Sequence, residues 1–177
     1  YLGHDARVIA CLGQIGVPLT LFRLGRRHQW AVLELGMNHA GEIARLTDIC
    51  SPDVGVITNI GPAHLEGLGS IEGVAREKGS LLKGLRSNGK AVLNADDARV
   101  RQLAGQTDRE VHFYGFSPDA SVRADAVAEM ENGISFTLKV AGQGIPIRLD
   151  SPGRFMVFNA LAAAAVGDLL GVSAAAI

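Results

Sequence analysis

Three short apolar runs, each closed by a polar residue and separated by segments of helical spacing, set the strongest limit on what this chain can fold into. They are "WAVLELG" (30–36), "VGVITNI" (54–60) and "KAVLNADD" (90–97). Runs that are apolar at successive positions read as strands buried on both faces, and such strands belong to parallel sheets covered by helices. Between the first two lies "GEIARLTDIC", with Ile43, Leu46 and Ile49 at helical intervals and a stop at Ser51-Pro52. Between the second and third, residues 70–86 read as another helix, with Ser70 as N-cap and Glu72 in its first turn. The turn "SNGK" then leads into the third strand. This alternation predicts an α/β fold with a mostly parallel central sheet flanked by helices.

After about residue 108 the pattern changes. "VHFYGF", "SVRADAVAEM", "GISFTLKV" and "IPIRLD" alternate only partly and are separated by turns such as Glu131-Asn132-Gly133. They read as a small antiparallel β subregion over about residues 108–150. "GRFMVFNALAAAAVGDLL" then reads as an Ala-rich helix ended near Gly171. No repeat or linker interrupts the chain, so residues 1–177 are expected to form a single domain.

Composition removes several classes of function. A net charge of -1 and an aromatic content of 5% supply neither a basic stripe nor a stacking platform for nucleic acid. Cys11 and Cys50 are too few for a disulfide framework and lack metal-ligand spacing, so both read as free, mostly buried thiols in a reducing cytosol. The longest apolar stretch, 160–170, is broken by Asp168 and is too short to span a bilayer. The expectation is a soluble cytoplasmic protein. Tyr1 is not a methionine, and the opening residues read as the middle of a longer polypeptide.

In open parallel sheets, ligands collect at the carboxyl ends of the strands. Glu34 lies near the end of the first strand, Asn59 at the end of the second, and His64 in the loop beyond. A carboxylate in a buried strand is costly unless it is paired or bound to a cation, which makes Glu34 a candidate ligand or a structural ion-pair partner. Asn59 could cap the turn before Gly61-Pro62, and His64 could cap the turn that follows it. Lys78 alone reads as a solvated helix residue. The remaining histidines, His4, His28, His39 and His112, form no zinc motif, and the chain has neither a P-loop nor a G-x-G-x-x-G fingerprint.

The stretches "ELGMNHAGEIARL", "TNIGPAHLEGLGSIEGVAREKGSLL" and "GKAVLNADD" resemble the central ATPase domain of the Mur ligase family. "IGVPLTLFRL" (15–24) and "GRFMVFNALAAAA" fit the same family in the same order, so the resemblance covers nearly the whole chain. It implies ATP-dependent amide-bond formation in peptidoglycan precursor synthesis, through an acyl phosphate. The motif Asn-His-x-Gly-Glu-Ile, followed by Asn-Ile-x-x-x-His-Leu and Lys-Gly, implies a UDP-N-acetylmuramoyl tripeptide and D-alanyl-D-alanine as the molecules joined.

The resemblance also implies site roles. Glu34 binds one magnesium ion and His64 a second, and Lys78 is the lysine that becomes carbamylated, giving an anionic oxygen ligand on a long arm. His64 and Lys78 are thereby placed in the catalytic machinery. Asn38, His39 and Asn59 match positions lining the substrate and phosphate cleft. Asn159 matches an asparagine that contacts adenine, whose edge requires both the donor and the acceptor of an amide.

The sequence departs from the family in four respects. The family's Gly-Lys-Thr phosphate loop lies upstream of "IGVPLTL", and this chain is expected to begin after it. The family's usual asparagines before "IGVPLTL" are replaced by "CLGQ". The N-terminal UDP-binding and C-terminal dipeptide-binding domains are missing. Gly-Arg-His-Asn is replaced by Gly153-Arg154-Phe155-Met156, at the edge of the adenine site. The expectation is an incomplete domain, inactive by itself, from a larger ligase. The alternatives are a non-catalytic binding module of the same descent and a sister ligase that adds a single amino acid.

Overall fold

The computed structural model describes the backbone of residues 8–12 and the whole of residues 16–177. Along the chain run β1 (Val8–Leu12), α1 (Gly16–Phe22), β2 (Trp30–Glu34), α2 (Glu42–Cys50), β3 (Val54–Ile57), α3 (Leu65–Leu68) and α4 (Ile71–Lys83). They are followed by β4 (Lys90–Asn94), α5 (Ala98–Leu103), β5 (Glu110–Gly115), β6 (Val122–Met130), β7 (Gly133–Val140), β8 (Gln143–Leu149) and α6 (Arg154–Leu169). The described strands make a two-stranded sheet, β1-β2, and a six-stranded sheet of order β3-β4-β5-β6-β7-β8. The described residues fall into two compact units, one of Val56–Asn59 with Lys90–Ile177 and one of the described residues up to Gly55 with Ile60–Gly89.

In the unit that ends with α6, β4 is the most deeply buried strand, with Ala91, Val92 and Leu93 fully covered. Its neighbour β5 pairs with it in parallel, Lys90 opposite Glu110 through Asn94 opposite Tyr114. β5 and β6 are also parallel, over Tyr114–Val122 and Gly115–Arg123. The antiparallel part begins only at β6, which pairs with β7, and β7 with β8. "VHFYGF" therefore belongs to the parallel sheet rather than to the hairpin region. Partial alternation in a short run does not distinguish a parallel strand from an antiparallel one. A bulge between Asp125 and Ala128 interrupts the β6-β7 ladder, and Ala126 there has a φ of 52°. α6 lies against β4, β5, β6 and β7, with Val157 and Leu161 inaccessible to solvent. Its alanines let the helix sit close to the strands while adding little side-chain entropy cost.

In the other unit, α2 packs on α4 and α3 on α4. Ile43, Leu46 and Thr47 line the inner face of α2, and Gly73, Val74, Glu77 and Leu82 that of α4. The close approach at the end of α4 requires a glycine: a Cβ on Gly84 would sit 2.4 Å from Thr47 Cγ2. Ser70 caps α4 as expected, its Oγ accepting the Gly73 N–H at 3.1 Å. β1 and β2 pair in parallel, Val8 opposite Trp30 through Leu12 opposite Glu34. β2 is not the buried strand that its apolar run predicts. Val32 is 58% exposed and Trp30 36%, and among the described residues β2 has β1 as its one partner strand. Among the described residues, no helix is long and apolar enough to cross a membrane. Cys50 is half-buried and forms no disulfide among the described residues; the side chain of Cys11 lies outside the described residues.

Candidate functional site

Glu34 closes β2 and is exposed. The desolvation argument for it as a buried carboxylate therefore does not apply, since water reaches it freely. Its carboxylate makes no hydrogen bond or ion pair with any described residue. Four residues later begins the loop 38–41, whose backbone is held by two carboxylates. Glu42, the first residue of α2, turns its carboxylate back: Oε2 accepts the N–H groups of Asn38 at 2.5 Å and His39 at 2.9 Å. These two backbone donors hold the Glu42 carboxyl down at about 2, far below its usual 4.5, with His39 adding a weaker contribution. The His39 Nδ1 lies 3.4 Å from Oε1 of the same carboxylate.

A second carboxylate reaches the loop from α4. Glu77 is 6% exposed, and its Oε2 accepts the N–H of Gly41 at 2.8 Å while Oε1 accepts that of Ile43 at 2.7 Å. Gly41 is the N-cap of α2, in a left-handed conformation at φ 90°, and has no side chain with which to cap the helix. Glu77 supplies the missing acceptor, and its charge faces the positive end of the α2 dipole. α3 presses on the same loop: a Cβ on Gly67 would lie 1.8 Å from the Asn38 carbonyl oxygen. With four backbone N–H groups turned inward to two carboxylates, the side chains of Asn38 and His39 stay exposed, that of His39 by 74%.

His64 is the N-cap residue of α3, at φ 59°, and its imidazole makes no capping hydrogen bond. The turn-capping reading of this histidine is not what the structure shows. Its ring is exposed and has no hydrogen-bond partner among the described residues, and a left-handed conformation at a non-glycine residue carries a small strain of its own. Lys78, adjacent to Glu77 on α4, is half-buried rather than a fully solvated helix residue. Glu34, Asn38, His39, His64 and Lys78 all belong to this unit and come from three segments that the loop 38–41, α3 and α4 bind together.

Asn59 and Asn159 belong to the other unit. Asn59 is exposed two residues beyond β3. At the carboxyl ends of β4 and β5 the backbone is fixed by side chains. Asn94 donates from Nδ2 to the Thr58 carbonyl at 2.8 Å and accepts the Asp96 N–H at 2.9 Å. The Asp96 carboxylate accepts the Phe116 N–H at 2.5 Å. Asn159 is exposed on α6, with its amide unengaged by any described residue. Near the start of that helix the Arg154 guanidinium lies 4.6 Å from the centre of the Phe116 ring, which meets Phe158 edge-on at 4.8 Å. Phe155 is 64% exposed.

Whether the unit that holds Glu34, His64 and Lys78 suits a cation turns on its donors. Among the described residues, no group of three or more His, Cys, Asp and Glu is placed to hold a metal ion by itself. Glu34 and His64 supply a carboxylate and an imidazole that no described residue occupies, and either would need further oxygen donors to hold a hard divalent ion. Glu77 and Glu42 are already engaged: both Glu77 oxygens and Glu42 Oε2 accept backbone N–H groups, and Glu42 Oε1 lies beside the His39 ring. Sequence reading missed both of these residues. The available signal was Glu77 itself, a carboxylate one turn beyond Gly73 and Val74 on the buried face of α4.

The fold and these motifs define a class. Residues 6–167 match the Mur ligase middle domain, and the chain belongs to that family. It is similar to the UDP-N-acetylmuramoyl-tripeptide--D-alanyl-D-alanine ligase of Escherichia coli (strain K12), with 40% identity over 169 residues, 92% of this chain and 36% of that protein. Among solved structures it is similar to MurF from Acinetobacter baumannii, at a TM-score of 0.86 and 32% identity over 96% of this chain and 38% of that one. The MurF ligase from Thermotoga maritima in complex with ADP gives a TM-score of 0.84 and 25% identity over 96% and 40%. The chain thus spans a little over a third of the length of these proteins.

Proposed function

We propose that this chain is the nucleotide-handling middle part of an ATP-dependent ligase that joins D-alanyl-D-alanine to a UDP-N-acetylmuramoyl tripeptide. The observation that carries the reading is the 40% identity to the Escherichia coli ligase of that name across 92% of the chain. In the reaction a tripeptide carboxylate oxygen attacks the γ-phosphorus of ATP, the bond to the bridging oxygen breaks, and ADP leaves. The dipeptide amine then attacks the acyl carbon, gives up a proton, and phosphate departs. Magnesium ions, one at Glu34 and a second at His64, with a Lys78 carbamate as a further oxygen donor, would neutralise phosphate charge there.

The chain's own residues supply orientation. The fixed loop 38–41 presents the Asn38 amide and His39 imidazole outward, where they can grip polar substrate groups without reorganising. Asn59 lies beyond a strand end, the usual place for a phosphate or substrate contact in such sheets. The unengaged amide of Asn159 offers the donor and acceptor that an adenine edge requires. Lys78 must lose its proton before its amine can add CO2 to form the carbamate.

A chimera tests the reading: residues 6–167 of this chain are set between the flanking segments of the Escherichia coli ligase. Phosphate release should depend on both the tripeptide and the dipeptide. A folded chimera that binds ATP yet releases no phosphate when both are present would overturn it.

A further inference from the structure

We infer that Glu77 is a positioning residue, which ties the substrate-facing loop 38–41 to the helix that carries Lys78. Three observations carry this. The Glu77 carboxylate is buried, yet both its oxygens are committed to backbone N–H groups 34 and 36 residues away rather than to a side-chain cation. The helix it caps has a glycine at its N-cap and no capping side chain of its own. The residue next to Glu77 on α4 is Lys78, so one helical turn holds both the anchor of the loop and the lysine.

Burial of a carboxylate is tolerated when its charge meets directed donors and a helix N-terminus. Here those donors belong to the loop, so the loop cannot leave α4 without stranding a buried charge. Glu42 holds the outer half of the loop through Asn38 and His39, and Glu77 holds the inner half. The consequence is geometric: any shift of α4 that moves Lys78 moves Asn38 and His39 with it. The structural half of this inference stands on the geometry alone. The half that concerns substrate rests on the ligase reading above.

Two measurements separate them. The first is amide-proton exchange in the full 177-residue chain. Glu77→Ala should speed exchange at Gly41 and Ile43 by at least about tenfold, the factor that roughly 1.4 kcal/mol represents, and speed Asn38 and His39 by less. The amides of β4 and α6 should not change. Glu77→Gln keeps one acceptor oxygen and should preserve protection at one of the two amides. Unchanged exchange at Gly41 and Ile43 in Glu77→Ala overturns the inference outright.

The second measurement is steady-state kinetics of the chimera. A variant that merely folds less well lowers the active fraction, and so Vmax, at constant KM. A mispositioned loop raises the KM for the tripeptide several-fold, and Glu77→Gln should recover part of that rise. Faster exchange together with a fall in Vmax alone refutes the positioning role. If the unsubstituted chimera is inactive, the ligase reading falls, and the exchange data alone decide whether Glu77 anchors the loop.

Discussion

Gly67 is the position where one added carbon should do the most damage. A Cβ there would lie 1.8 Å from the Asn38 carbonyl oxygen and 3.4 Å from His39 Cδ2. An ordinary carbon–oxygen contact is no closer than about 3.3 Å, so the loop or α3 must retreat by about 1.5 Å. Overpacking of this kind typically costs about 1–3 kcal/mol. Alanine's better helix propensity offsets about 0.5–1 kcal/mol of it, so Gly67→Ala should lose about 1.5 kcal/mol. Gly61, six residues earlier, has nothing within 4 Å of its virtual Cβ. Gly61→Ala should therefore stay within about 0.5 kcal/mol of the parent. The assay is urea unfolding followed by the fluorescence of Trp30, the single tryptophan, which lies in the same unit as Gly67. With a slope of about 2 kcal/mol per molar urea, the Gly67→Ala midpoint should fall by about 0.7 M. A midpoint at or above that of Gly61→Ala would refute the contact, since propensity alone predicts that order.

Three further outcomes can be checked directly. The folded Glu42 carboxyl titrates at about 2 rather than 4.5, so its contribution to stability is present in full above about pH 4.5 and is lost as pH falls through about 2. Side-chain carboxyl shifts followed by NMR should show that midpoint, and Glu42→Gln should flatten the stability loss across the same window. Leu161→Ala, at a fully buried position of α6, should cost about 2–5 kcal/mol in thermal or urea unfolding; a cost below about 1 kcal/mol would mean that α6 does not pack on the sheet as described. In the active chimera, Lys78→Ala should lower turnover severely, and a short added carboxylate should restore part of it. Unchanged turnover would remove the carbamate role.

Much of the fold was readable because local and tertiary preferences agree. Ser70 caps α4, Ser51 ends α2 with a left-handed φ of 44°, and α6 stops before Gly171 at φ 76°. β4 is as buried as its apolar run implies. β2 failed the same test, since an apolar run records a strand's suitability for burial and not whether other elements cover it. The parallel pairing of β5 was hidden for a related reason: a strand's direction is set by the path of the chain around it. Within the candidate site, motif resemblance singled out the outward-facing residues, Asn38, His39 and His64. The carboxylates of Glu42 and Glu77 are held mainly by backbone N–H groups, and such pairings leave no spacing pattern in a sequence. Glu77 shows itself only as a charge on the wrong face of an amphipathic helix.

The bare surface around β2 has a practical consequence for anyone handling the chain. Val32 on β2, with Leu19 at 59% and Phe22 at 88% exposure on α1, places large apolar side chains in water beside a strand with an unpaired edge among the described residues. Unpaired strand edges and exposed apolar groups are where chains adhere to one another. Solubility should therefore fall as protein concentration or the level of a salting-out salt rises. Charged substitutions at Phe22 and Val32, both outside the proposed site, are the first changes to make before concentrating the protein for NMR.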